Sequence, residues 1–105
     1  MMKLPAGWYV VLDSREVRAG SKKPLGFKRF GLDLVAWRDT QGRVTILSDL
    51  CPHRSARLSL GQVKGDRVMC PFHGFEFGSR GECEHMPETG KGASNYCAPA
   101  FETRE

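Results

Sequence analysis

Leu32-Asp33-Leu34-Val35-Ala36-Trp37-Arg38, then Asp39-Thr40-Gln41-Gly42, then Val44 to Leu50 read as two strands around a tight turn. Side chains alternate across a strand, so Leu32, Leu34 and Ala36 share one face, and Asp33, Val35 and Trp37 share the other. Asp39 to Gly42 has the composition of a hairpin turn, with Gly42 free to take positive φ. Val44, Ile46 and Leu50 then resume an alternating face. Working outward, strand-like runs recur at Trp8–Leu12, Gly26–Phe30, Arg67–Cys70, Phe75–Phe77 and Tyr96–Glu102. No stretch keeps a 3.6-residue period over three turns, and Gly and Pro interrupt every candidate. The pattern predicts an all-β fold, with Trp8 and Trp37 in the core. Tyr96–Glu102 has nothing to pair with on its far side. An edge strand, or a domain cut before a closing hairpin partner, would both look this way.

The chain has 105 residues, 40% of them hydrophobic and 27% charged, with 4 Cys. That length predicts one domain, and its core is limited, because domains near this size bury only about two-thirds of their unfolded surface. The composition is too apolar for disorder and too poor in Cys for a disulfide scaffold. The longest apolar run, Trp8 to Leu12, is far short of the ~20 residues of a membrane-spanning helix. Met1-Met2-Lys3 leads straight into Leu4-Pro5-Ala6-Gly7, without a secretory apolar region. A cytoplasmic protein with no membrane partner is the expectation. The net charge of +4 is unevenly spread. Arg15, Arg18, Lys22, Lys23, Lys28 and Arg29 form a basic stretch, whereas Glu82, Glu84, Glu88, Glu102 and Glu105 make the last quarter acidic. No nucleic-acid module accompanies the basic stretch, so nucleic acid is not expected. A solvated edge explains it, and an acidic redox partner is the functional reading.

The chemistry lies in Cys51-Pro52-His53-Arg54 and Cys70-Pro71-Phe72-His73-Gly74. Each segment sets a thiolate and an imidazole within one tight turn, stiffened by the Pro after its Cys. Turn-rich segments around Ser59-Leu60-Gly61 and Lys64-Gly65-Asp66 let the two loops meet. Thiolate and imidazole together suit zinc or iron–sulfur chemistry. A single Zn²⁺ would take all four ligands tetrahedrally, but structural Cys₂His₂ sites usually group Cys with Cys and His with His. Mixed loops suit two irons, with both Cys on one and both His on the other, which is the Rieske arrangement.

Residues 51–75 as a whole resemble the Rieske domain of Rieske non-haem iron oxygenases. Gly7-Trp8-Tyr9-Val10-Val11, the Gly81-Glu82-Cys83 turn and Met86-Pro87 resemble the same family. The resemblance implies stacked antiparallel sheets over residues 1–105, with a small cluster-binding subdomain of two loops at about 50–78. It implies one [2Fe-2S] cluster, with Cys51 and Cys70 on the buried iron and His53 and His73 on the outer one. It also implies a reductase or ferredoxin as electron donor and an oxygenase catalytic domain as acceptor, in a trimer if the chain belongs to an oxygenase. Oxidised, two Fe³⁺, two S²⁻ and two thiolates sum to about zero charge. An all-Cys cluster is about two units more negative, so His ligation raises the potential.

Departures from the family bound the activity. Respiratory-type Rieske proteins resemble this motif but carry a further Cys in each loop and a membrane anchor. Here those positions are Ala56 and Phe72, and no anchor is expected before the domain. The oxygenases hold a second, mononuclear Fe(II) on two His and a carboxylate. His85 alone remains beside the cluster ligands, so this chain cannot build that site. His85 reads as a surface loop residue, Cys97 as a small core residue and Cys83 as a thiol in a Gly-rich turn. Phe72, Phe75 and Phe77 read as cluster shields. The expected function is electron transfer by the N-terminal domain of an oxygenase whose catalytic domain lies outside this chain. A stand-alone Rieske ferredoxin is the alternative, and a zinc structural module the remote one. The chain alone would oxygenate nothing.

Hydrogen bonds to cluster sulfurs stabilise the reduced state. The respiratory type supplies them from Ser and Tyr, two and four residues after its second His ligand. Those positions are Phe75 and Phe77 here, so the midpoint is expected near the low end of the range of about −150 to +300 mV. Phe77→Tyr is expected to raise it. Voltammetry giving a wild-type value near the upper limit, or no upward shift with the cluster intact, would refute this.

Overall fold

The computed structural model describes residues 7–50, 57–71, 74–87 and 90–105; in the last segment, side chains are described at 92 and 97–105. In chain order the strands are β1 (Leu25–Arg29), β2 (Leu32–Arg38), β3 (Val44–Ser48), β4 (Gln62–Lys64), β5 (Arg67–Met69), β6 (Glu76–Phe77), β7 (Glu82–Met86), β8 (Lys91–Cys97) and β9 (Ala100–Phe101). Short 3₁₀ turns cover Ser14–Glu16 and Leu58–Leu60. One sheet runs β1-β2-β3-β9 and the other β4-β5-β6-β7-β8, both antiparallel. The all-β expectation of stacked antiparallel sheets is met.

The hairpin read from Leu32 to Leu50 forms in register, with Trp37 opposite Thr45 and Arg38 opposite Val44. Its two faces bury different cores. Val35, Trp37 and Leu47 pack against Val68, Cys70, Phe75, Phe77 and Cys83 of the second sheet. Leu34, Ala36 and Ile46 face the other way, under Val17, Val11 and Leu12. A strand buried on both faces reads as a continuous apolar run, which Leu34 to Trp37 is.

Several expectations are corrected. Trp8–Leu12 forms no strand; it is an extended cover that lays Val11 and Leu12 on the first sheet. Trp8 is accordingly 55% exposed, against 2% for Trp37, so only Trp37 is a core residue. The first hairpin turns at Phe30 and Gly31, with φ of 54° and 76°, so Phe30 is a turn residue and not the end of a strand. Positive φ at both central residues matches the twist of the flanking strands, although it strains a bulky side chain. Tyr96–Glu102 splits into β8 and β9, one in each sheet. Pro99 cannot donate to a ladder, and the chain crosses there. Ala98 N–H donates to the Gly81 carbonyl at 2.7 Å, and the Pro99 carbonyl accepts from Ser48 N–H at 2.8 Å. A Cβ on Gly81 would collide with the Ala98 carbonyl oxygen.

The two leftover cysteines exchange roles. Cys83 is buried on β7, whereas Cys97 at the end of the edge strand β8 is exposed, because β7 lies between β6 and β8 and turns Cys83 toward the first sheet. His85 also lies on β7 and not in a loop, opposite Glu76. Both β4 and β7 escaped the sequence reading, since turn residues flank them.

A buried carboxylate ties the central hairpin to the Leu58–Leu60 turn. Asp49 is 2% exposed, and its Oδ1 and Oδ2 accept from the Ser59 N–H and Ser59 Oγ, each at 2.6 Å. Arg57 Nη1 lies 3.6 Å from Oδ2, and the Asp49 carbonyl accepts from Leu58 N–H at 2.9 Å. Asp49→Asn removes the charge that Arg57 faces and turns one accepting oxygen into a donor. It is expected to cost about 1–3 kcal/mol, the scale of an unsatisfied buried group, seen as a lower urea midpoint with unchanged slope. Ser59→Ala, which keeps the N–H contact, is expected to cost less.

Candidate metal centre

Both ligand-bearing loops are closed at their bases. Leu50 bridges Arg57 in antiparallel fashion, on either side of the segment that carries Cys51 and His53 in the sequence. Asp49 fastens the same base from inside. The second loop starts where β5 ends, and Cys70 N–H donates to the Phe75 carbonyl at 2.7 Å. Gly74 sits inside that closure at φ 69°, where a Cβ would press on Pro87 at 3.3 Å.

The two bases lie side by side. Leu58, just past the first loop, shares a core with Cys70 and Phe75 of the second. Gly61 makes this approach possible, because a Cβ there would overlap the Met69 carbonyl oxygen. Among the expected ligands, Cys70 is described: its side chain is 1% exposed, facing Leu58, Val68, Phe77 and Cys83. Cys51, His53 and His73 lie outside the described residues, as does Phe72. Phe75 and Phe77 are 3% and 0% exposed beside Cys70, which suits shielding.

The donor chemistry fits a two-iron cluster. Withdrawn into the interior, Cys70 would supply a soft thiolate ligand, and the apolar wall around it lowers the local dielectric. Pro71, the next residue, is exposed.

Electrostatics around the loops are mostly settled by local pairs. Arg57 lies 3.4 Å from Asp33. Arg67 bridges three strands, 2.8 Å from Glu84 and 3.5 Å from Glu76. His85 Nδ1 is 3.5 Å from Glu76 Oε2, an ion pair when the ring is protonated. Burial, and then a hydrogen bond with Glu84, hold the Glu82 carboxyl above its ordinary range. Arg15, Arg18, Lys22, Lys23 and Lys28 are exposed, as a solvated basic edge requires. Asp49 was missed by the sequence reading, which took Ser59 and Gly61 only as turn residues that let the loops meet. The usable signal was an Asp directly before the first ligand loop, with a Ser-Leu-Gly turn directly after it.

Known proteins place this geometry. The Rieske [2Fe-2S] domain family matches residues 7–101. The oxygenase component of chloroacetanilide N-alkylformylase from Rhizorhabdus wittichii is 38% identical over 104 residues, covering 99% of this chain and 29% of that protein. The oxygenase component of dicamba O-demethylase from Stenotrophomonas maltophilia is 42% identical over 86 residues, covering 82% of this chain and 24% of that protein. A crystal structure of dicamba monooxygenase superposes with a TM-score of 0.82 at 36% identity, covering 91% of this chain and 30% of that one. The chain thus spans under a third of the length of these relatives. Its cofactor is the Rieske-type [2Fe-2S] cluster that this family implies. With the loop bases, the buried thiol and the matched sequence in agreement, the chain belongs to the Rieske [2Fe-2S] domain family.

Proposed function

We propose that this chain is the electron-transfer module of a Rieske non-haem iron oxygenase, receiving electrons from a reductase or ferredoxin and delivering them to a mononuclear iron outside residues 1–105. The carrying observation is the 38% identity across 99% of the chain to an oxygenase component. Bound between the loops, the cluster supplies one-electron chemistry. Cys51 and Cys70 would hold one iron, and His53 and His73 would hold the other. Cys70 anchors from the core, Phe75 and Phe77 exclude water behind it, and the Asp49–Ser59 contact fixes the first loop. The imidazoles of His53 and His73 would supply hydrogen-bonding edges able to carry redox-linked protons. In an oxygenase, His73 would hydrogen-bond a carboxylate of the catalytic domain, in a trimeric cytoplasmic assembly. Among the described residues no helix is long and apolar enough to cross a membrane.

The test is elemental. Purified chain is expected to hold iron and acid-labile sulfide at about two each, with a red-brown colour. Cys70→Ser is expected to abolish both. One zinc with no labile sulfide would overturn the assignment. With a reductase and nicotinamide supplied, the chain is expected to be reduced and reoxidised without forming any oxygenated product. Steady product from this polypeptide alone would refute the division of labour.

A further inference from the structure

We propose that the tip of the first hairpin, Phe30 flanked by Lys28 and Arg29, is the landing surface for an acidic electron-donor protein. The inference rests on the proposed function, in which a separate protein supplies electrons to this chain.

Phe30 occupies a position that its side chain disfavours. Its φ is 54° and that of Gly31 is 76°, the geometry of a two-residue turn that prefers Asn-Gly. Among the described residues Phe30 is the one non-glycine residue at positive φ. A bulky aromatic there is a steric outlier, and strain of this kind gathers at contact and clamp sites. The ring gains little burial in return. It stays 37% exposed and meets Tyr9 edge-on, with 5.4 Å between ring centres. An aromatic held rigidly at the surface is the anchor that protein interfaces favour.

The tip stands at the end of the first sheet from which the Cys51 segment leaves. β2 and β3 pair with Leu34 opposite Ser48, and Asp49 N–H donates to the Asp33 carbonyl. Continuing that register sets Leu32 against Leu50, one residue before Cys51. Leu50 is 43% exposed, a second apolar contact beside the tip. The Asp39–Gly42 turn lies at the opposite end of the same sheet.

Charge identifies the occupant. Lys28 is exposed, and Arg29 holds its guanidinium 5.6 Å from the Phe27 ring centre. Asp33 is the partly exposed carboxylate at this end, and Arg57 pairs with it at 3.4 Å. Lys28 and Arg29 therefore leave a positive field around the aromatic, which an acidic surface complements. A lysine also guards an edge strand against stray pairing, but that task needs no aromatic at the turn. A second copy would set Lys28 and Arg29 against themselves across a two-fold contact, which repels. So small a patch, rimmed by cations, suits the brief encounter of an electron carrier. Permanent interfaces are larger and more apolar. In the encounter one electron leaves the donor's reduced centre, and one ferric iron of this cluster becomes ferrous. No bond forms or breaks.

Reduced plant-type [2Fe-2S] ferredoxin serves as the probe, an acidic carrier whose potential of about −400 mV lies below the Rieske range. Stopped flow reads the second-order rate at which it reduces the loaded chain. That rate is expected to fall about tenfold or more between low salt and about 0.5 M salt. Lys28→Glu with Arg29→Glu is expected to lower the low-salt rate about tenfold, the difference closing at high salt. Phe30→Asn, which suits the turn, is expected to lower it about fivefold at every salt concentration, whereas Phe30→Tyr keeps it. Arg43→Glu with Arg80→Glu makes the same change of net charge on a groove at the far end, and is expected to leave the rate unchanged. Photoreduced deazaflavin, a small uncharged reductant, is expected to reduce every variant equally. Equal ferredoxin rates in all variants would overturn the proposal, as would an equal loss from the far-end pair. So would a sedimenting dimer that Phe30→Asn breaks, since a second copy would then cover the tip. The same substitutions are made in the longer protein of the proposed function. A dependence lost there would mean that its own catalytic domain covers the tip, and overturns the proposal too. A loaded chain with equal rates sinks this inference alone, whereas a chain with zinc and no labile sulfide sinks the functional reading.

Discussion

A nearly buried carboxylate ties together the two sides of the segment that carries Cys51 and His53 in the sequence. Asp49 ends the central hairpin and accepts two hydrogen bonds from Ser59 on the far side of the loop. Both of its oxygens are engaged, and Arg57 approaches from the solvent side. Charge-assisted bonds of this kind are short and directional, so they fix the loop ends with little angular play. That matters because a metal cluster imposes its own distances on four side chains. A loop with loose ends would have to be ordered at the moment of assembly.

The second loop is fixed by different means. Its closure is a backbone bond between Cys70 and Phe75, and its seat is the apolar core shared by both sheets. One loop is therefore anchored by polar contacts and the other by packing. Gly61 lets them approach by leaving room for the Met69 carbonyl. Charge at the periphery plays a smaller part, since exposed ion pairs such as Arg15 with Asp13 contribute little.

Much of this was legible in the sequence, because the decisive signals were local. The Asp39–Gly42 turn, the alternation in Leu32–Arg38 and the paired Cys-x-His and Cys-x-x-His loops depend on neighbours a few residues away. What escaped depends on distant partners. Strand composition alone could not reveal that Pro99 divides a run between two sheets, or that Trp8 lies over the surface. Cys83 and Cys97 exchange places because burial is decided by a strand's position in its sheet, which no local window contains. Asp49 read as one polar residue at a strand end, since its ten-residue reach to Ser59 exists only after folding.

The crossing at Pro99 has a topological consequence. The chain leaves the first sheet after Ser48 and rejoins it at Pro99, and these two residues are hydrogen-bonded neighbours. Everything between them, including both ligand loops and the whole second sheet, is an insertion of about fifty residues into a four-stranded host. Joining the ends of a flexible segment that long costs roughly 3–4 kcal/mol of chain entropy beyond a constant. Insertions with touching ends are exchangeable units, since the host ladder keeps its register whatever lies between. A redox centre packaged this way can vary in loop length and potential while β1, β2, β3 and β9 keep the same pairing.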